Sequence, residues 1–279
     1  NTMFNRITII GLGLIGGSLA LAIKEKKLAR EVVGVSRRKS TIDFAVKKRI
    51  VDFATVNLKD GVKDSDLVII AVPVFKIVGI ARAVAPFLKD SAILTDAGST
   101  KKYIIKNTET SGRESLNFVG SHPIAGSEKS GIKYMDRDLF KGAYCVLTKT
   151  KNTNPKNLSK VKKFWRKLGM KVVVMSSESH DRLLSKISHL PHAVAVSLVN
   201  SIGRKGVNIA SGGFQDTTRI ASGEPELWKD IFLTNRENLV KDIEIFRKEL
   251  LKIEAALKSN NSRDLMRLLS RAKSIRDLS

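Results

Sequence analysis

Six residues near the N-terminus, Gly11-Leu12-Gly13-Leu14-Ile15-Gly16, constrain this chain more than any other segment. They follow an apolar β-branched run, Thr8-Ile9-Ile10, and open a stretch with helical patterning. In a strand–turn–helix unit the first glycine permits the tight turn. The second lets a pyrophosphate approach the backbone, and the third lets the helix pack close to the strand. Free N–H groups at the helix start then face the phosphate charge. Gly11, Gly13, Leu14, Ile15 and Gly16 are therefore expected to cradle a dinucleotide. The competing reading is a glycine-rich turn without a ligand.

Downstream, short β-branched runs alternate with amphipathic stretches, the pattern of a parallel sheet with crossover helices. Strands are expected at 32–35, 67–72, 92–95, 118–119, 144–147 and 171–174, and helices at 16–26, 41–48 and 155–168. The run 67–72 is continuously apolar, as a strand buried on both faces should be. From Ser176 onward strand signals stop. A helix over 178–202 interrupted at Pro191, one long helix over 225–258 and a closing helix over 263–276 are expected. This divides the chain into an α/β dinucleotide-binding domain, residues 1–176, and an all-α domain, residues 177–279. In the long helix Leu239, Ile243, Phe246, Leu250, Ile253 and Leu257 form a heptad-like seam. The seam either packs within its own domain or, as expected here, is buried in a homodimer through the C-terminal helices.

Of the 279 residues one is cysteine, Cys145, which excludes a disulfide framework and fits a reducing, cytoplasmic setting. No apolar run approaches the roughly 20 residues that a membrane helix needs, so no membrane partner is expected. Asn1 and Thr2 are expected to precede a natural start at Met3. The formal charge of +23 would suit a nucleic-acid binder, but it is spread along the chain and only 6% of residues are aromatic. No nucleic-acid partner is expected; a positive field equally draws in small anions.

The end of the second strand bears on which dinucleotide is bound. An acid there would take the ribose 2′-hydroxyl of NAD. This chain has Ser36-Arg37-Arg38, and hydroxyls and guanidinium groups suit a 2′-phosphate, so NADP is favoured over NAD. The alternative is a solvated basic turn. Ala71-Val72-Pro73, at the end of the 67–72 strand, is expected to line the same site. Asp96-Ala97-Gly98-Ser99-Thr100-Lys101 also follows a strand; Ser99 either caps the next helix or serves the nicotinamide or substrate, and the two are compatible.

His122, in Gly120-Ser121-His122-Pro123-Ile124-Ala125-Gly126, comes after another strand on that edge and points to chemistry rather than core packing. His189 and His192 stand three apart on one helix face. His189 either packs or caps, while His192 is expected to face a cleft. No third ligand stands at metal spacing, so no metal site is expected. His180, between Ser179 and Asp181, is expected to be solvated. In Gly212-Gly213-Phe214-Gln215-Asp216-Thr217-Thr218-Arg219 the glycines give a flexible lead-in. Arg219 is a planar fork that matches a carboxylate, with Asp216 to hold it in place. The alternative is a surface Asp–Arg pair.

Taken together, 11–16, 96–101, 120–131, 188–192 and 214–221 resemble the prephenate/arogenate dehydrogenase family, over about residues 6–260. The resemblance implies a Rossmann-type domain followed by a helical dimerisation domain. It also implies oxidative decarboxylation of prephenate to 4-hydroxyphenylpyruvate with NAD(P), or of arogenate to tyrosine. On matching positions it implies that His122 is the catalytic histidine, that Ser99 assists it, that His192 and Arg219 contact substrate with Gln215 and Asp216 beside them, and that Glu128 helps close the site. Many relatives carry a C-terminal regulatory domain or a fused chorismate mutase. Two rival readings are another Rossmann hydroxyacid dehydrogenase, which would place Lys and Asn after the later strands, and a nucleotide-sensing module that binds nucleic acid.

Overall fold

The computed structural model describes residues 2–109, 116–207 and 211–278. Eight strands, β1 (Phe4–Ile10), β2 (Ala29–Val35), β3 (Phe53–Thr55), β4 (Leu67–Ile70), β5 (Ile93–Asp96), β6 (Phe118–Ile124), β7 (Tyr144–Thr148) and β8 (Lys171–Met175), form one sheet in the order β3-β2-β1-β4-β5-β6-β7-β8. Strands β1 to β6 are parallel, β7 runs antiparallel to β6, and β8 is parallel to β7. The connection reverses between β1 and β4, and ligands of such sheets bind at the strand C-termini beside that reversal.

Helices α1 (Leu14–Glu25), α2 (Lys39–Lys47), α3 (Leu58–Val62), α4 (Val74–Val84), α5 (Lys102–Glu109) and α6 (Pro155–Lys167) alternate with the strands. One apolar layer joins Leu19 and Ile23 of α1 to Phe164 and Trp165 of α6 and to Phe140. The other joins Ile77, Ala81 and Val84 of α4 to Ile104 of α5. All four residues of β4 are fully buried between them, as its unbroken apolar run requires. Asn154 starts α6 by accepting the Lys156 N–H at 2.9 Å, with Pro155 in the first turn where no N–H is needed.

The glycine turn is held by contact as much as by torsion. Gly11 has φ +100°, and a Cβ there would lie 2.3 Å from the Ala71 carbonyl oxygen. A Cβ on Gly16 would lie 1.9 Å from the Gly11 carbonyl oxygen, so only glycine lets α1 rest on its own strand.

From Ser177 the described residues are helical: α7 (Ser177–Leu184), a single π-type turn at Ser185–His189, α8 (Leu190–Val207), α9 (Gly212–Thr218) and α10 (Pro225–Thr234). These belong with the sheet to one compact unit, residues 1–235. A second unit, 236–279, is a hairpin of α11 (Arg236–Lys258) and α12 (Ser262–Arg276), turned by Asn260 at φ +51° and capped by Asn261. Ile243, Phe246, Leu250, Ile253 and Leu257 of the seam are exposed in the single chain, whereas Leu239 is buried. No helix among the described residues is long and apolar enough to cross a membrane.

Four expectations are corrected. The 225–258 helix is two helices, broken at Asn235, whose φ and ψ are −119° and 24°. Pro191 does not interrupt its helix; it sits in the first turn of α8, and the irregular turn precedes it. Strand β6 does not end at Val119: it runs on through His122 to Ile124 by pairing with β7, while short β3 completes the opposite edge. Gly212 and Gly213 begin α9 rather than forming a loose lead-in.

Candidate active site

Gly13 ends the turn after β1 in an extended conformation at the N-terminus of α1, and no side chain caps that end. A Cβ on Gly13 would meet no atom within 4 Å. An uncapped 12-residue helix opening onto empty space beside Gly13 fits a pyrophosphate. Leu14 and Ile15 are half-buried in the first turn of α1. Along the edge, Ala71 and Val72 are half-buried behind β4 and Pro73 is exposed at the start of α4. Arg37 and Arg38 are exposed past β2, and Ser36 Oγ accepts the Arg38 N–H at 3.3 Å.

Further along the edge, a cleft of about 450 Å³ is lined by Ser99, His122, His189, Glu128, Arg219 and Trp228 among others. His122 reaches it because extended β6 alternates its side chains: Ser121 faces the core, where its Oγ accepts the Trp165 indole N–H at 3.2 Å, and His122 faces the other way. The loop before α5 is clamped by an ion pair between Lys101 and Asp96, both fully buried. Asp96 also accepts the Ser121 N–H at 3.0 Å and the Gly98 N–H at 2.8 Å, so one carboxylate ties the end of β5 to the middle of β6. Ser99 does not cap α5. The first N–H groups there, from Lys101 and Lys102, donate to Asp181 of α7 at 2.7 and 3.0 Å, which leaves Ser99 on the cleft wall.

His180 is fully buried, not solvated as expected: its Nε2 lies 2.8 Å from His122 Nδ1 and its Nδ1 lies 2.7 Å from Asp181 Oδ1. Its polar neighbours Ser179 and Asp181 suggested surface, but α7 turns that face onto the sheet edge. A His-Asp pair one turn into a capped helix was the available signal, since Ser176 caps α7 by accepting the Ser179 N–H at 3.1 Å. Burial, and then the electrostatics of His180, Lys101 and His189, hold the His122 imidazole well below its ordinary 6.5. Burial also lowers His180, against the pull of Asp181.

His192 does not face the cleft. It is 2% exposed and stacks on Trp228 with ring centres 3.5 Å apart at 9°, so that Trp228 stands between it and the opening. Its Nδ1 is buried without a hydrogen-bond partner, and burial lowers the ring to about 4. His189 takes the cleft position instead, with its Nδ1 3.1 Å from the Asn235 amide nitrogen. Arg219, in the turn after α9, extends its guanidinium to Glu128 at 3.2 Å rather than to Asp216. Gln215 and Asp216 are exposed and line a second cavity of about 490 Å³ that shares Arg219 with the first. Ser99, His122, Glu128 and Arg219 are thus brought to one cleft; His192, Gln215 and Asp216 are not.

Two family models match, "prephenate dehydrogenase, nucleotide-binding domain" over residues 19–174 and "prephenate dehydrogenase, dimerization domain" over 176–271. The glycine turn lies just ahead of the first match. Prephenate dehydrogenase of Bacillus subtilis is 34% identical over 99% of this chain and 76% of its own length. The structure of Aquifex aeolicus prephenate dehydrogenase with hydroxyphenyl propionate and NAD+ superposes with a TM-score of 0.89 at 34% identity, covering 98% of this chain and 97% of that one. Arogenate dehydrogenase of Synechocystis gives 0.83 at 31% identity, covering 98% and 99%. Two family models that together span residues 19–174 and 176–271, and agreement at this level over the whole fold, place the chain in the prephenate dehydrogenase family of oxidoreductases.

Proposed function

We propose that this chain oxidatively decarboxylates prephenate to 4-hydroxyphenylpyruvate, with arogenate as the alternative substrate. The observation that carries this reading is His122, buried at the cleft with Nδ1 occupied by His180 and only Nε2 left for a ligand. When bound, the oxidised nicotinamide is the hydride acceptor. His122 Nε2 takes the proton from the ring hydroxyl as the hydride leaves the same carbon. Loss of the ring carboxylate as carbon dioxide returns its electron pair to the ring, and His122 hands the proton back to the resulting phenolate. Ser99, on the same wall, bonds or orients the hydroxyl. Arg219 meets a substrate carboxylate, exchanging its exposed pairing with Glu128, which then serves as a closing element. His192 acts at one remove, by backing Trp228. The imidazole of His189 faces the side-chain end, where a keto group is the better match than an ammonium.

We place the functional boundary near residue 176, with the cofactor contacts, Ser99, His122 and Glu128 before it and His189, Arg219 and the subunit contact after it. The enzyme is assigned to the cytoplasm, in keeping with its one buried thiol. The exposed α11 seam is the homodimer contact, consistent with the dimerization-domain match. Sedimentation equilibrium should give twice 30.8 kDa; a stable single-chain mass would remove the seam from the interface. NADP is the favoured cofactor, because Arg37 and Arg38 are exposed at the end of β2 with no carboxylate beside them in sequence before Asp43. Replacing both with alanine should raise the Michaelis constant for NADP far more than that for NAD, and equal losses would refute the preference.

The reaction itself is tested by following nicotinamide reduction with prephenate and arogenate in the wild type and in His122→Asn. Asparagine keeps a polar atom but accepts no proton, so turnover should fall by about 10²–10⁴-fold with little change in substrate binding. The wild-type neutral imidazole is the active form. Because burial and the electrostatics of its neighbours lower it, turnover should hold through pH 6.5 and fall only at lower pH, and the variant should lack that acid limb. A variant within about threefold of wild type would move the base elsewhere.

A further inference from the structure

We infer that Asp181 and His180 are positioning residues that set the tautomer of His122, fixing its proton on Nδ1 and leaving Nε2 bare at the cleft. The inference rests on His122 being the base, and it follows from a buried chain of three groups. Asp181 accepts the backbone N–H groups of Lys101 at 2.7 Å and Lys102 at 3.0 Å, at the N-terminus of α5, so both of its oxygens already serve as acceptors. An acceptor-only carboxylate 2.7 Å from His180 Nδ1 requires that nitrogen to carry the proton. The neutral His180 ring then has a bare Nε2, which can only accept. At 2.8 Å it accepts from His122 Nδ1–H, so the lone pair of His122 is on Nε2.

The opposite tautomer fails at the same atoms. With the proton on His180 Nε2, its bare Nδ1 would face the Asp181 carboxylate, and with the His122 proton on Nε2 beside an unchanged His180, two bare nitrogens would face each other in a fully buried space. Asn235, whose side-chain N–H donates to the Asp181 carbonyl at 2.7 Å, fixes this part of α7 from the end of α10. The chain also gives a path for charge. When His122 takes the substrate proton, its Nδ1–H remains on His180 Nε2, and the Asp181 carboxylate faces the imidazolium through one intervening ring.

Asp181→Asn tests the tautomer. With its oxygen in the Oδ2 place it still accepts the Lys102 N–H, while the amide in the Oδ1 place donates to His180 Nδ1 and gives up the Lys101 N–H bond. His180 must then donate from Nε2, and His122 is left protonated on the wrong nitrogen. The expected result is a fall in turnover of about 10²–10⁴-fold with the substrate Michaelis constant nearly unchanged. His180→Gln offers an amide oxygen to His122 Nδ1–H and should keep turnover within about tenfold of wild type, whereas His180→Leu, with no acceptor, should lose as much as Asp181→Asn. Nitrogen-15 spectra of the labelled wild-type protein read the tautomer without any activity: His122 should show a protonated Nδ1 and a bare Nε2. A protonated Nε2 in the wild type, Asp181→Asn turnover within about threefold of wild type, or His180→Gln as impaired as His180→Leu would each overturn the inference. Failure of the base assignment itself is distinguishable, because His122→Asn would then stay active while the wild-type spectrum still showed the Nδ1–H tautomer.

Discussion

The carboxylate of Asp181 is where the helical part of the main unit is tied to the edge of the sheet. It takes two backbone N–H groups from the start of α5 and one ring nitrogen of His180, and the carbonyl of the same residue takes Asn235 from beyond α10. Each of these groups is buried or nearly so, and an unsatisfied buried donor costs about 1–3 kcal/mol. The side chain therefore does in one place what several apolar contacts would do without direction: it fixes α7 against the start of α5 and sets the angle at which His180 meets His122. The Asp96–Lys101 pair does the same at the end of β5, its partners five residues apart in sequence and fully buried, with Ser121 N–H as its third member. Removing one partner of such a pair typically costs about 3–5 kcal/mol, because the other is left charged in the interior.

These two anchors explain why chemistry collects at one edge. The strand order brings the glycine turn, the Ser99 segment and His122 to the C-terminal ends of neighbouring strands or just past them. The antiparallel return through β7 then carries β6 far enough for His122 to stand over the cleft. Burial keeps that imidazole neutral, the state in which it accepts a proton. The walls across from it come from the helical segment, through His189, Trp228 and Arg219. Sheet and helices thus each supply one side of a single reaction space.

Much of this was legible in the residues. The glycine spacing, the apolar run of β4 and the His122-Pro123 segment each have a local cause that survives folding. What was not legible depends on partners far away in sequence. His180 reads as a surface residue until α7 is docked, because its neighbours Ser179 and Asp181 are polar. His189 and His192 share a helix face, and only the position of Trp228 decides that the first opens on the cleft while the second is covered. Arg219 was given Asp216, three residues away, but the turn after α9 points it to Glu128, 91 residues earlier in the chain. The break at Asn235 was hidden for a similar reason: the apolar repeat continues across it, while the asparagine side chain is drawn off to Asp181 and His189.

The account turns on His122 Nε2 meeting the oxygen that the reaction makes phenolic. A crystal structure of the enzyme with oxidised cofactor and 4-hydroxyphenylpyruvate measures that contact directly. The phenolic oxygen should lie about 2.6–3.2 Å from His122 Nε2, with the nicotinamide ring on the other side of the same carbon. A product bound with its phenol toward His189 or Trp228, and its side chain toward His122, would contradict the account.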